Sequence, residues 1–402
     1  MILRDIQTTL QQTQGAFAQI LTGPRQCGKS TLLNMISGEE FRSVSFDILQ
    51  FRNLADDDPA LFLAQNPPPI IIDEAQYAPN IFPEIKRVID GIKQQQLKSN
   101  AAIKPSVIFR LTGSNQVLLD KHVKESLVGR ASYFYLNTLS VHEILTASPN
   151  TEIKDILYRG GYPELYSNES LSTTHYLNDY IRSYIEKEIV LSAGISKQKE
   201  FSTVLGMLAA RTSGFINYSN IAKDSGIQSS TVKDWTSLLQ RNDLIYLLPP
   251  CERNLNKRLL KTPKIYFLDT GLCVRLQGWT DSTPLMQSPQ IGSLFETLVL
   301  AEIVKLIRNF NLNWKLSVWR TKEGEEIDFV IDMGNGNMLA LDAKLAIHNI
   351  KPQTLPANFK KTYPNVNQLI VVSYGGDKLQ LNKNCWQCPI SELTYFLLQY
   401  HT

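Results

Sequence analysis

Gly23-Pro24-Arg25-Gln26-Cys27-Gly28-Lys29-Ser30 fits the G-x-x-x-x-G-K-[ST] pattern in full, and the apolar run Ala16 to Leu21 leads into it as a buried strand would. The glycines let backbone N–H groups turn inward on phosphate oxygens. Lys29 then reaches the terminal phosphates and Ser30 can ligate Mg²⁺, while Thr31 to Ile36 begins a helix whose positive N-terminal end faces the anion. Strand, loop and helix together predict an ATP site made by Gly23, Pro24, Arg25, Gln26, Cys27, Gly28, Lys29, Ser30 and Thr31.

Pro69-Ile70-Ile71-Ile72-Asp73-Glu74 is the second informative stretch. A continuous apolar run is expected of a strand buried on both faces, and its two carboxylates fall at the carboxyl edge of the sheet, where ligands bind. Asp73 is expected to hold Mg²⁺, directly or through water, and Glu74 to polarise the attacking water. Val44 to Asp47 reads as an intervening strand, and Asp56-Asp57-Asp58-Pro59 opens a short helix toward Leu63. The intervening strand implies that the loop strand and the carboxylate strand are not sheet neighbours. A fourth strand, Val107 to Thr112, ends at Gly113-Ser114-Asn115, where Ser114 first and Asn115 second suit a hydrogen bond to the γ-phosphate or the attacking water. Arg130 offers a guanidinium, either an arginine finger, here or on a neighbouring copy in a homo-oligomer, or a structural arginine.

A length of 402 residues suggests two or three domains, and 43% hydrophobic content is that of a well-cored globular chain. Lys+Arg 41 against Asp+Glu 38 leaves a net charge of +3, so contact with nucleic acid must come from local patches. Cys27, Cys251, Cys273, Cys385 and Cys388 are odd in number and scattered, which suits a reducing compartment. Cys385-Trp386-Gln387-Cys388 has a CxxC spacing, read as two packing thiols or as a zinc or redox pair. The start lacks a signal-peptide layout, and no apolar run approaches the ~20 residues that span a bilayer. A cytoplasmic, non-membrane protein is expected.

From Tyr218 the chain reads as a short helix, a turn at Gly226, and a second helix capped by Ser229 or Ser230 with Val232, Trp235, Leu238 and Leu239 on one face. Leu244 to Leu248 and Ile265 to Leu268 follow as two strands of a wing. Thr231, Lys233, Asp234, Thr236 and Ser237 form the helix face expected to be exposed, and Arg253, Lys257, Arg258, Lys261 and Lys264 a basic stretch. These serve either DNA backbone contact or packing between domains.

Gly292 to Asn309 reads as an amphipathic helix, followed by strands at Leu312 to Trp319, Glu325 to Ile331 and Met338 to Lys344. Asp342 and Lys344 leave one face of their strand, and Asp328 can meet Asp342 across paired strands. Glu296 shares a helix face with Val299, Leu300, Ile303 and Ile307, where a carboxylate is costly unless paired or metal-bound. Glu302, three residues before Lys305, is expected to be solvated. Arg320, Lys322 and Lys344 are candidate phosphate contacts.

The segments GPRQCGKST, IIIDEAQYAP from Ile70, LTGSN, LVGRA from Leu127, GGYPE from Gly160 and KIYFLDTGL from Lys264 resemble the AAA+ ATPases whose C-terminal region is the DUF4143 module. The resemblance runs along nearly the whole chain. It implies an α/β architecture: a P-loop AAA+ domain at 1–150, a helical and winged-helix domain at 151–255, and a restriction-endonuclease-like domain at 256–402. Glu296, Asp328 and Asp342-Ala343-Lys344 resemble the PD-(D/E)xK nuclease arrangement, with Asp342 standing for the more usual glutamate. That resemblance implies Mg²⁺ on Glu296, Asp328 and Asp342, with Lys344 orienting the nucleophile. Two functions fit: an ATPase that acts on DNA and cuts it, or a nucleotide-driven switch or scaffold that binds a protein partner through an inactive nuclease-like domain.

Overall fold

The structure, a computed structural model, describes residues 2–13, 15–98, 106–113, 126–190, 194–251, 262–347 and 350–401. It forms two compact units, one of Leu3–Asn137 with Arg308–Asn311, the other of Met1–Ile2, Thr138–Ile307 and Leu312–Thr402. No helix among the described residues is long and apolar enough to cross a membrane.

The first unit is built on five parallel strands, β1 (Ala18–Thr22), β2 (Arg42–Ser45), β3 (Ile70–Asp73), β4 (Phe109–Gly113) and β5 (Ala131–Tyr135), in the order β2-β3-β4-β1-β5. All five residues of β1 and of β4 are buried, as strands covered on both faces must be. Helix α1 (Lys29–Ile36) follows β1, and α2 (Ile81–Lys98) follows β3. Ile20, Ile70, Ile72, Phe109 and Leu111 pack with Phe82, Ile85 and Ile89 of α2 to form the main core. The loop strand and the carboxylate strand are indeed not neighbours. What separates them is β4, which pairs with both, whereas β2 lies outside β3 at the sheet edge.

In the second unit, α3 (Tyr218–Ser225) and α4 (Ser229–Arg241) meet at Gly226, whose left-handed φ of 70° lets the chain reverse. Val232, Trp235 and Leu239 are buried under α4. Thr236 is buried as well, contrary to its expected exposure, because its hydroxyl is satisfied by Val232 O at 2.7 Å. Strands β6 (Gly214–Phe215), β7 (Ile245–Leu248) and β8 (Lys264–Phe267) form a small antiparallel sheet in the order β6-β8-β7. Since β8 pairs with β6 and β7, a boundary at 255/256 would cut this sheet in two.

The remainder is a six-stranded sheet of β9 (Lys315–Arg320), β10 (Glu326–Gly334), β11 (Asn337–Lys344), β12 (Leu369–Ser373), β13 (Leu379–Asn382) and β14 (Cys385–Pro389), ordered β13-β14-β12-β11-β10-β9. Helix α5 (Ile291–Asn309) precedes it. The chain leaving β7 joins the β9 edge through Val318 N–H to Pro249 O at 2.9 Å and Cys251 N–H to Val318 O at 2.6 Å. Cys385 and Cys388 are buried, unbridged packing thiols, with burial pushing the Cys388 thiol up to about 12.

Candidate functional site

The phosphate loop is shaped by backbone constraints that the sequence obeys. Gly23 has φ 149°, and a side chain there would run into the Leu136 carbonyl; Gly28 has φ 93°. Lys29 is buried, and its Nζ donates to Gly23 O at 3.1 Å and Pro24 O at 2.9 Å, so the ammonium is held inside the loop by the loop's own carbonyls. Arg4 fixes the loop from behind, with Nη1 on Cys27 O at 2.8 Å and Nη2 on Asn137 O at 2.7 Å. Arg25 donates to the Tyr77 hydroxyl at 3.1 Å, and the guanidinium of Arg52 sits 4.4 Å from the Tyr77 ring centre. Arg4 belongs to no sequence pattern, and Tyr77, although it lies within the segment IIIDEAQYAP, meets Arg25 and Arg52 only through the fold.

The loop and the carboxylate strand converge. Ser30 Oγ donates to Asp73 Oδ1 at 2.7 Å. The Thr112 hydroxyl, at the end of β4, also donates to Asp73, and it accepts the Glu74 N–H at 3.2 Å. A hydroxyl beside a carboxylate at the mouth of a phosphate loop is the donor set that suits Mg²⁺, which would neutralise phosphate charge there. Glu74 stands at φ 53°, a left-handed position uncommon for a carboxylate residue, and its Oε2 accepts from the Gln76 side chain. Asp47, just beyond β2, joins these carboxylates: desolvation, then the charges of Glu74 and Asp73, push its carboxyl up.

Arg130 is bound to Asp90 of α2 in a two-toothed ion pair, Nε to Oδ1 at 2.6 Å and Nη2 to Oδ2 at 2.8 Å. Within one copy of the chain it is therefore a structural arginine. Ser114 and Asn115 lie outside the described residues, as do Arg253, Lys257, Arg258 and Lys261.

In the second unit the expected quartet assembles, with partners the sequence did not announce. Asp342 Oδ1 accepts Asp328 N–H at 3.2 Å, and Asp328 Oδ2 accepts Ala343 N–H at 2.9 Å, so the two aspartates clasp across β10 and β11. Glu296 of α5 is met from β8: Lys264 Nζ lies 2.9 Å from its Oε1 and the Tyr266 hydroxyl donates to the same atom at 2.6 Å. Lys264 also pairs with Glu326, which Arg320 Nε approaches at 3.4 Å. Burial opposes the charge on Lys264, yet Glu296 and Glu326 outweigh it and hold the ammonium above its ordinary value. Burial, then mutual repulsion between Glu296 and Asp328, raises Glu296; burial raises Asp328 also and, with the Asp328 charge, lifts Asp342 to about 6.

A divalent cation does not fit this arrangement. Glu296 Oε1 already holds an ammonium and a phenol, and the described residues contain no group of three or more His, Cys, Asp or Glu arranged to hold a metal ion. The expectation of Mg²⁺ on Glu296 thus conflicts with a lysine in the cation's place. Lys264 is correspondingly not a DNA contact, being 4% exposed. Lys344 is exposed beside the aspartates. Glu302, expected in solvent, is buried, with Lys305 Nζ at 2.9 Å and Val141 N–H at 2.8 Å.

Three family matches cover most of the chain: an AAA domain at 16–145, a domain of unknown function (DUF8612) at 150–283, and another (DUF4143) at 291–393. The last boundary falls after β8, in keeping with its pairing. Uncharacterized proteins of Mycobacterium bovis and Mycobacterium tuberculosis are each 27% identical over 318 residues, 78% of this chain and 67% of theirs. Among solved structures, the ADPNP-ADP complexes of the ORC2 protein of Aeropyrum pernix give a TM-score of 0.34 at 11% identity, covering 68% of this chain and 89% of that one. A signal-transduction ATPase with numerous domains from Pyrococcus horikoshii gives 0.21 at 11% identity, covering 77% and 47%. Scores this low assign no common fold. An AAA domain and a DUF4143 module match the chain where the sequence motifs put them, in line with the resemblance to AAA+ ATPases that carry a C-terminal DUF4143 module.

Proposed function

We propose that the protein binds and hydrolyses ATP with Mg²⁺ in its first unit, and that its second unit engages DNA without cutting it. The observation that carries the first part is Ser30 Oγ at 2.7 Å from Asp73 Oδ1, which joins the end of the phosphate loop to the carboxylate strand. Lys29 is then the terminal-phosphate ligand, Ser30 and Asp73 the Mg²⁺ ligands, and Glu74 the group that orients the attacking water. Ser114 keeps its place as the expected sensor of the γ-phosphate. Lys29→Ala and Glu74→Gln are each expected to abolish ATP turnover while circular dichroism stays native. Normal turnover in either variant would sink the assignment.

DNA engagement is supported by the helix pair α3–α4 followed by a small antiparallel sheet, a winged-helix order of elements. Of the two readings of the nuclease-like quartet, the non-cutting one is favoured, because Lys264 pairs with Glu296, one of the three carboxylates that a catalytic metal would take. Wild type and Asp342→Ala are expected to leave single- and double-stranded DNA intact with Mg²⁺ or Mn²⁺, with or without ATP. Cleavage by wild type that Asp342→Ala loses would restore the nuclease.

A further inference from the structure

Between α3, α4 and the β9 edge lies a groove of about 940 Å³, all within the second unit. Its polar lining is one-sided. Lys233 of α4, Arg320 at the end of β9 and Lys322 just beyond it supply three cations, Asn217 and Ser229 supply neutral polar groups, and among the described residues no acidic one lines it. Asp234, the neighbour of Lys233 on α4, is not part of the lining and so does not offset that charge inside the groove. Among the described residues neither Lys233 nor Lys322 is drawn into an ion pair, and both are exposed. Arg320 is shared: it approaches Glu326 at 3.4 Å and stacks 5.0 Å from the Phe215 ring centre, which fixes its guanidinium at the groove wall. Tyr218, half-buried, adds an aromatic surface beside these charges.

Cations from both α4 and the β9 end, neutral hydrogen-bonding groups and an aromatic ring are what a sugar-phosphate backbone with its bases meets in strand-binding proteins. A concavity of this size takes a ligand of small-molecule dimensions, so it admits a short run of nucleotides and not the width of a duplex. We infer that this groove binds the backbone of a single nucleic-acid strand, with Lys233, Arg320 and Lys322 as its phosphate contacts. The inference rests on the reading that the second unit engages nucleic acid, and it names where: the cleft beside α4, not its outer face.

The test is fluorescence anisotropy of labelled oligothymidylate and of a labelled duplex with the full chain over a series of salt concentrations. Lys233→Glu/Lys322→Glu is compared with Lys351→Glu/Lys383→Glu, exposed lysines outside the groove that change the net charge equally. The groove variant is expected to bind the single strand about tenfold or more weakly, with a salt slope shallower by about 1.4, while the control binds like wild type. ATP turnover and thermal unfolding should match wild type in both. Equal loss in both variants, no loss in the groove variant, or loss confined to the duplex would overturn the groove while leaving nucleic-acid engagement standing. Failure of wild type to bind either probe, with or without ATP, would overturn both.

Discussion

Lys264 Nζ and Glu296 Oε1 lie 2.9 Å apart with side chains only 5% and 17% exposed, an ion pair between the small antiparallel sheet and the long helix α5. Tyr266, two residues further along β8, points the same way and donates to the same oxygen at 2.6 Å. Removing one partner of such a pair leaves the other buried and uncompensated, at a cost of roughly 3–5 kcal/mol. Lys264→Met should therefore lower the urea-unfolding free energy by about that amount, because Glu296 and Glu326 lose their shared cation. Lys264→Met/Glu296→Gln should recover part of the loss. A single variant within about 1 kcal/mol of wild type would show that the pair is not a buried one.

Asp342 makes a pH prediction with a definite sign. Its carboxyl is raised from 3.8 to about 6, so between those values the folded chain keeps a proton that the unfolded chain has released. The stabilisation is full below about pH 4 and is lost as pH rises through about 6. Asp342→Asn removes this dependence. Chemical denaturation at the two ends of that window should show wild type losing about 2 kcal/mol more than the variant. Parallel stability profiles would contradict the raised value.

Thr112 holds Asp73 and Glu74, the proposed hydrolytic carboxylates, from β4. It is fully buried, its hydroxyl serves Asp73, and it accepts the Glu74 N–H at 3.2 Å. Thr112→Val keeps the shape and removes both bonds. Turnover should fall on the order of tenfold with little change in KM, since misplacing a water-orienting group costs rate more than binding. Unchanged kcat would mean that Thr112 only packs.

Arg4 clamps the back of the phosphate loop through Cys27 O and Asn137 O. Each charge-assisted bond is worth about 1.5–3 kcal/mol, and Arg4→Ala leaves both carbonyls without that donor. Affinity for a non-hydrolysable ATP analogue, measured by calorimetry, should drop about tenfold. Retained affinity would assign Arg4 to stability alone.

Local patterns carried the nucleotide half. A strand that must be apolar, a loop that must be glycine at 23 and 28, and carboxylates that must end a buried run are each decided by near neighbours in the chain, so their identity is readable without coordinates. The same holds for the helix pair around Gly226 and for Asp328 facing Asp342, since strand alternation dictates which residues share a face. Glu302 was misjudged because a helical spacing to Lys305 describes a pair equally well in water or in a core. The neighbour that decides is Val141, 161 residues away in sequence.

What tertiary structure alone decided is the meaning of the C-terminal quartet. The sequence determined that Glu296, Asp328, Asp342 and Lys344 exist at spacings that can converge. It could not show that Lys264, read as part of a basic stretch for DNA contact or domain packing, would enter the same cluster from another sheet. Burial and charge compensation depend on every element packed around a site, and they sum over residues that are distant in sequence. That sum turns a motif expected to hold a metal into a cluster already holding its own cation.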